Sequence, residues 1–275
     1  MTDRYAVFGN PIAHSKSPLI HAQFAKQTAQ DLSYTAELAP LEGFDDAVSA
    51  FFETGGCGCN VTVPFKLDAA RFADKLSEAA TRAGAVNTLV KQGSEIYGDT
   101  TDGSGMVRDI ESNHGEALAD NRVLILGAGG AVRGVLQPLL AAAPRHVHIA
   151  NRTAQKAEQL ALAFSELGDI SGGSLDAIDA GPFDIIVNGT SSGLSADVPR
   201  MPESCVVGAM CYDMFYTRDE TPFQAWCRLR GARKSVDGLG MLVEQAADSF
   251  AIWRGVRPET RATTDHLRAL LSTPN

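Results

Sequence analysis

Apolar and polar positions along the chain change period repeatedly. Short runs with strand character fall at 5–8, 33–38, 58–63, 85–90, 123–126, 146–150, 184–188, 206–212 and 234–236. Helical spacing fills most of the gaps and predicts helices over 17–28, 41–54, 102–113, 131–143, 154–167 and 222–230. A last apolar stripe, Leu239, Leu242, Val243, Ala246, Phe250 and Trp253, also recurs at helical spacing and reads as core. Strands and helices in alternation predict an α/β protein with open sheets of parallel strands. No internal repeat or low-complexity linker interrupts the pattern.

One of the apolar runs ends in glycines. Residues 122–131 read Arg-Val-Leu-Ile-Leu-Gly-Ala-Gly-Gly-Ala and lead into a helix. In that strand–turn–helix context, backbone amides approach a pyrophosphate. Gly127 suits the tight turn, and Gly129 leaves room for phosphates. Val132 stands where the usual fingerprint has its third glycine. The next strand ends in Asn151-Arg152-Thr153, where an acidic side chain would otherwise grip a free ribose 2′-hydroxyl. A guanidinium there suits a 2′-phosphate, and Lys156 lies one helical turn further on. The two segments together predict NADP(H) rather than NAD(H). The plainer alternative makes Thr153 a helix cap and Arg152 a solvated charge.

The fingerprint begins late in the chain. A Rossmann-like dinucleotide domain is therefore expected over 103–237, and a second α/β domain over 1–102. The closing helices, within 238–275, are expected to pack back on that first domain, with substrate held in the cleft between the two. The chain's 275 residues are enough for both. A net charge of −9 argues against a general nucleic-acid or acidic-membrane surface. No stretch is apolar enough to span a membrane, and the N-terminus lacks a signal peptide's apolar core, so the cytoplasm is the expected compartment. The five cysteines form no CxxC pair. His146 and His148 share a strand face but have no third partner, so no metal site is expected.

Three segments in the first hundred residues hold polar side chains that packing does not require. In 8–19, Ser17-Pro18 makes a good helix start, and Ser15 and Ser17 would offer two hydroxyls to an anion beside free amides. In 58–66, alternation puts Asn60 and Thr62 on one face at the carboxyl end of a strand, where ligands bind in such sheets. Lys66 would then open a helix, against the helix dipole, and such local conflicts mark functional sites. In 98–105, Asp102 precedes a helix at the expected domain crossing. There it would cap the helix or partner a lysine ammonium and a substrate hydroxyl. The bland alternatives are a surface lysine and plain helix caps at Ser17 and Asp102.

Together these segments carry a resemblance. Asn10-Pro-Ile-Ala-His-Ser-Lys-Ser-Pro18, Asn60-Val-Thr-Val-Pro-Phe-Lys66, Ala83-Gly-Ala-Val-Asn-Thr88, Thr101-Asp-Gly103, Gly127-Ala-Gly-Gly-Ala131, Asn151-Arg-Thr153 and Asp237-Gly-Leu-Gly-Met-Leu-Val-Glu-Gln-Ala246 resemble the shikimate/quinate dehydrogenase family, in the family's order. The resemblance implies an N-terminal substrate domain, a Rossmann-like NADP domain, and reversible NADP-dependent oxidation of shikimate to 3-dehydroshikimate on the route to chorismate and aromatic amino acids. Lys66 and Asp102 would form the catalytic pair. Ser15, Ser17, Asn60, Thr62, Asn87, Tyr216 and Gln245 would bind substrate. Gly127, Gly129, Gly130 and Ala131 would cradle the pyrophosphate. Asn151, Arg152, Thr153 and Lys156 would take the 2′-phosphate, and Thr190, Ser191, Gly238 and Met241 would line the nicotinamide side.

Two positions depart from the family pattern, Thr100 where Asn is usual and Gly189 where Ala is common. Quinate and an aminated shikimate remain alternative substrates, and another NADP enzyme with a two-domain cleft is a more distant rival. A non-catalytic nucleotide sensor on the same fold is the alternative of another class. A monomer or homodimer is expected, with no nucleic-acid or membrane partner.

Overall fold

Alternation in the first strand, β1 (Asp3–Gly9), sends Ala6 and Phe8 to one layer and Tyr5 to another. Ala6 and Phe8 join a core with Val48, Phe51 and Phe52 of α2 (Phe44–Glu53), Val61 of β3 (Gly56–Val61) and Leu89 of β5 (Thr88–Gln92). Tyr5 stacks on Trp253 of the long helix α9 (Leu239–Arg254), with ring centroids 4.8 Å apart. On the same side, Phe24 of α1 (Ser17–Gln27) meets Phe250 edge-on at 5.8 Å. Helix α2 thus covers one face of the first sheet, and α1 and α9 cover the other.

The order of that sheet is β2-β1-β3-β5-β6-β4, with β2 at Leu32–Leu38, β6 at Glu95–Asp99 and β4 at Lys75–Leu76. The expected all-parallel arrangement fails at β5, which runs antiparallel to both β3 and β6. Gln92 and Glu95 face each other across a tight turn at Gly93-Ser94, and Gly93 has a φ of +65°. A turn that short joins antiparallel neighbours, because a parallel return needs a crossover.

The second sheet contains β7 (Arg122–Leu126), β8 (His146–Asn151), β9 (Ile170–Ser174), β10 (Ile185–Asn188), β11 (Met210–Asp213) and β12 (Lys234–Asp237). It is wholly parallel, in the order β12-β11-β10-β7-β8-β9. Counted from β7, that is the doubly wound dinucleotide order, with its switch point between β7 and β10. Helices α6 (Gly130–Ala141) and α7 (Ala154–Phe164) bury Val135, Leu139, Leu160 and Phe164 against Val123, Ile125, Val147 and Ile149. On the other face, Leu124, Leu126, Ile186 and Cys211 pack with Phe223 and Cys227 of α8 (Pro222–Leu229).

The computed structural model describes residues 2–179, 181–190 and 198–273. The chain forms two units, Met1–Asp102 with Val243–Thr263 and Gly103–Leu242 with Thr264–Asn275. This differs from the expectation that all of 238–275 belongs with the first hundred residues. Most of α10 (Arg261–Ser272) lies in the second unit, where Arg268 donates two hydrogen bonds, of 2.8 and 2.5 Å, to Asp237 at the end of β12.

Candidate active site

Helix α3 (Lys66–Phe72) follows Pro64 and the buried Phe65, so Lys66 is its first residue. The Lys66 carbonyl accepts the Val86 amide at 2.9 Å, which ties this turn to the entry of β5. Asp102 opens α5 (Asp102–Arg108). Its Oδ2 accepts a 2.5 Å hydrogen bond from Lys66 Nζ, and its Oδ1 accepts one of 3.0 Å from Asn87 Nδ2. The two side chains are 31% and 14% exposed, so a small molecule can reach the pair while bulk water screens it only in part. An ammonium and a carboxylate in contact, open on one side, can share and pass on a proton from a hydroxyl.

Asn87 is buried, and its carboxamide orients the pair. Its Oδ1 accepts from the Thr101 amide at 2.9 Å and the Thr88 hydroxyl at 2.8 Å. Its Nδ2 points to Asp102 Oδ1, Thr101 Oγ1 and Gln245 Oε1, at 3.0, 3.0 and 3.1 Å. Gln245 therefore stands beside the pair, on α9.

The remaining substrate candidates of the first unit differ in character. Ser17 is the first residue of α1 rather than its cap; Lys16 holds the cap position with no side-chain bond. Ser15 Oγ instead accepts the Ser17 amide at 3.3 Å. Thr62 lies just past β3, and its methyl covers Gly9, where an added Cβ would come within 2.5 Å of it. Asn60 is buried with its polar atoms engaged. The Tyr34 hydroxyl donates to its Oδ1 at 2.7 Å, and its Nδ2 reaches Asn87 O, Thr88 Oγ1 and Ser249 Oγ at 3.0 to 3.2 Å. Tyr216 belongs to the second unit, partly buried, and burial followed by the nearby Asp237 carboxylate pushes its phenol up.

In the second unit the glycine turn has the features an anion requires. Gly127 has a φ of +105°, and a Cβ there would approach Gly189 O to 3.1 Å. Gly129 caps α6 with no side chain over the first amides, and a Cβ on Gly129 or Gly130 would meet open space. Ala131 follows in the first turn and is exposed. Thr153 occupies the cap position of α7 but makes no side-chain cap bond, so capping does not account for it. Asn151 Nδ2 donates to Thr153 O at 3.0 Å and shapes this turn. Arg152 and Lys156 are exposed, with no ion-pair partner among the described residues. An uncapped helix start beside two exposed cations fits a dinucleotide that carries an additional phosphate.

Thr190 bonds through its amide and hydroxyl to Asn188 Oδ1, at 3.2 and 2.7 Å. Asn188 in turn donates to the buried Asp213 at 3.1 Å, and burial pushes that carboxyl up. Ser191 lies outside the described residues. Gly238 is crowded, since a Cβ would fall 2.4 Å from Met214 O, and Met241 is buried in the second unit's core.

Sequence reasoning assigned no role to Tyr34, Thr88, Ser249 or Asp213: Tyr34 lies on a half-exposed strand, Thr88 ends a motif in which only Asn87 was singled out, and Ser249 and Asp213 lie in elements read as core. His146 and His148 meet Ser171 of β9 across the sheet. Ser171 Oγ is 2.8 Å from a ring nitrogen of each, and Asp169 lies 3.1 Å from the other nitrogen of His146. Among the described residues no group of acidic, histidine or cysteine side chains is arranged to hold a metal ion.

Three family models match in chain order. They are the shikimate dehydrogenase substrate-binding domain over residues 7–89, shikimate/quinate 5-dehydrogenase over residues 109–205, and the shikimate 5′-dehydrogenase C-terminal domain over residues 238–268. The shikimate dehydrogenase (NADP(+)) of Alkalilimnicola ehrlichii is 55% identical over 269 residues, covering 98% of this chain and 99% of the relative. The crystal structure of an Ael1 enzyme from Pseudomonas putida matches with a TM-score of 0.92 and 46% identity, over 99% of each chain. Shikimate 5-dehydrogenase from Thermus thermophilus, solved with NADP(H) and shikimate, matches with a TM-score of 0.85 and 30% identity, over 98% of this chain and 99% of that one.

Proposed function

The chain belongs to the family of NADP-dependent shikimate dehydrogenases, and we propose that it performs their reaction with Lys66 and Asp102 as the groups that handle the proton. It is an oxidoreductase that interconverts shikimate and 3-dehydroshikimate in aromatic biosynthesis, with NADP(H) as its cofactor. The cofactor, when bound, supplies the hydride acceptor or donor.

The observation that carries the proton assignment is the 2.5 Å Lys66–Asp102 contact with Asn87 fixed behind it. In the oxidising direction, the pair takes the proton of the ring hydroxyl. In the reducing direction, the Lys66 ammonium hydrogen-bonds the carbonyl oxygen and stabilises the negative charge that develops there. Asp102 holds the ammonium in place. Ser15 and Ser17 meet the substrate carboxylate at the start of α1, while Thr62, Asn87 and Gln245 position the ring hydroxyls. Asn60 serves these contacts from behind, since its polar atoms are already engaged.

We assign the cofactor to the second unit. Gly127, Gly129, Gly130 and Ala131 receive the pyrophosphate, and Asn151, Arg152, Thr153 and Lys156 the 2′-phosphate. Thr190, Gly238 and Met241 line the nicotinamide side. We place the reaction in the cytoplasm; among the described residues no helix is long and apolar enough to cross a membrane.

Initial rates with shikimate and with quinate, each with NADP⁺ and NAD⁺, test the reading through reduced-nicotinamide absorbance. Turnover is expected with shikimate and NADP⁺ well above the other three combinations. A preference for quinate or NAD⁺ would overturn the specificity and leave the pair. No turnover in any combination would overturn the assignment itself.

A further inference from the structure

Ser249 lies in the middle of α9 and is fully buried, where packing alone would ask for an apolar side chain. Its hydroxyl is 3.0 Å from Asn60 Nδ2, 2.7 Å from Thr88 Oγ1, 3.2 Å from Thr101 Oγ1 and 3.0 Å from Gln245 O. The side-chain partners come from β3, β5 and the segment that enters α5, all within the first unit.

A single hydroxyl has one proton to give. Thr101 has Gln245 O as an acceptor at 2.9 Å, and Thr88 has Asn87 Oδ1 at 2.8 Å. Ser249 accepts from Asn60; its own proton has Thr88 Oγ1, its closest partner, at 2.7 Å and Gln245 O, one turn back, at 3.0 Å, and donation to Thr88 is the arrangement that carries order on to Asn87. Asn60 is locked in the matching orientation by the Tyr34 hydroxyl on its Oδ1. The outcome is a directed chain from Ser249 through Thr88 to Asn87 Oδ1. With its oxygen engaged in this way, Asn87 presents its amide to Asp102 and Gln245. Buried hydrogen bonds in series reinforce one another, and loss of one member leaves its neighbours unsatisfied.

We propose that Ser249 is a positioning residue of this enzyme, whose hydroxyl, through Thr88, joins the Thr101 amide in fixing the orientation of Asn87 and thereby holds Asp102 against Lys66. It acts without touching substrate, and the inference rests on the reading of Lys66 and Asp102 as the proton-handling pair.

The test compares Ser249→Ala and Ser249→Thr with Phe250→Leu. Phe250 is the next residue of α9, buried against Phe24, and its truncation weakens the same helix without removing a hydrogen bond. Ser249→Ala is expected to lose about tenfold in kcat/KM for shikimate, mainly in kcat, with the Kd for NADPH unchanged. Ser249→Thr keeps the hydroxyl and Phe250→Leu keeps the chain, so each should stay within about threefold of wild type even where Tm falls. Thr88→Val, which removes the next hydroxyl, gives the same reading if the alanine variant does not fold.

Wild-type kcat/KM in Ser249→Ala (or, in its place, Thr88→Val) overturns the proposal. So does an equal loss in Ser249→Thr, or in Phe250→Leu at a matched Tm. Wild-type turnover is measured first. Its absence refutes the site reading and this inference with it, whereas an active wild type with an unaffected Ser249→Ala refutes the inference alone.

Discussion

Gly189 shows how single residues fit this fold. A Cβ there would lie 2.4 Å from Val132 Cγ2 and 3.0 Å from Met214 Sδ. Val132, fully buried, stands where the dinucleotide fingerprint usually has its third glycine, and Gly189 leaves room for its side chain. Gly189→Ala is expected to destabilise by about 1–3 kcal/mol through overpacking, and a second change, Val132→Ala, should recover part of that. Thermal unfolding of the four variants checks this, and additive effects would contradict the coupling. Lys66→Ala should reduce kcat by about 10²–10⁴ while NADPH still binds, because the proposed cofactor residues all lie elsewhere. Near-normal turnover would remove Lys66 from the proton path. His21 is fully buried against Tyr34, rings 4.2 Å apart, with neither ring nitrogen hydrogen-bonded among the described residues. Burial lowers it from 6.5 to about 3. Between those values the unfolded chain binds the additional proton. Its contribution is complete above about pH 6.5 and lost as the pH falls towards 3, by at most ~1.4 kcal/mol per pH unit. Urea midpoints at pH 7 and pH 5 should therefore fall further in wild type than in His21→Phe. Equal falls would show that His21 does not titrate in that window.

At the scale of elements, the end of β8 and the start of α7 carry the residues proposed to select the cofactor. Arg152 and Lys156 stand exposed at a helix start that Thr153 leaves uncapped. Arg152→Ala should raise KM for NADP⁺ by roughly 10- to 100-fold and leave KM for NAD⁺ nearly unchanged, since only the former has a 2′-phosphate. A parallel rise for both cofactors would make the side chain structural. This element was legible because β8 alternates and its end carries a motif. Its neighbour β9 was not. Residues 170–174 read Ile-Ser-Gly-Gly-Ser, and a Cβ on Gly172 would fall 2.2 Å from Ala157 O of α7. The approach of that helix, not strand propensity, selects the residue there. The hairpin of β5 and β6 was missed for a related reason, since its turn, Gly93-Ser94, is short and its outer residues are exposed. At the site, Lys66, Asp102, Asn87 and Gln245 were legible from motifs, and the structure brings those four together. Thr88 and Ser249 were not, because a buried hydroxyl on a core strand or helix leaves no periodic signal, and Tyr34 was not, because it stands on a half-exposed strand.

For the molecule as a whole, each of the two units has a core of its own. Phe8, Phe51 and Leu89 belong to one, and Ile125, Leu139 and Phe164 to another. The residues proposed to hold NADP(H) all fall in the second unit, whereas Lys66, Asp102, Asn87 and Gln245 fall in the first. Ligand that binds only the folded form stabilises what it touches, by about 2.7 kcal/mol at a hundred times Kd. A chain of two units need not unfold in one step. The two tryptophans allow the steps to be followed separately, because Trp226 lies in α8 of the second unit and Trp253 in the first. Trp253→Phe leaves Trp226 as sole reporter, and Trp226→Phe leaves Trp253. On addition of NADPH, the midpoint reported by Trp226 should rise by several degrees and that reported by Trp253 should rise less. Shikimate alone should favour the Trp253 transition. Equal shifts with either ligand would mean that the molecule unfolds as one cooperative body. A larger NADPH shift at Trp253 would place the cofactor on the first unit and undo the division of labour argued from the glycine turn and Arg152.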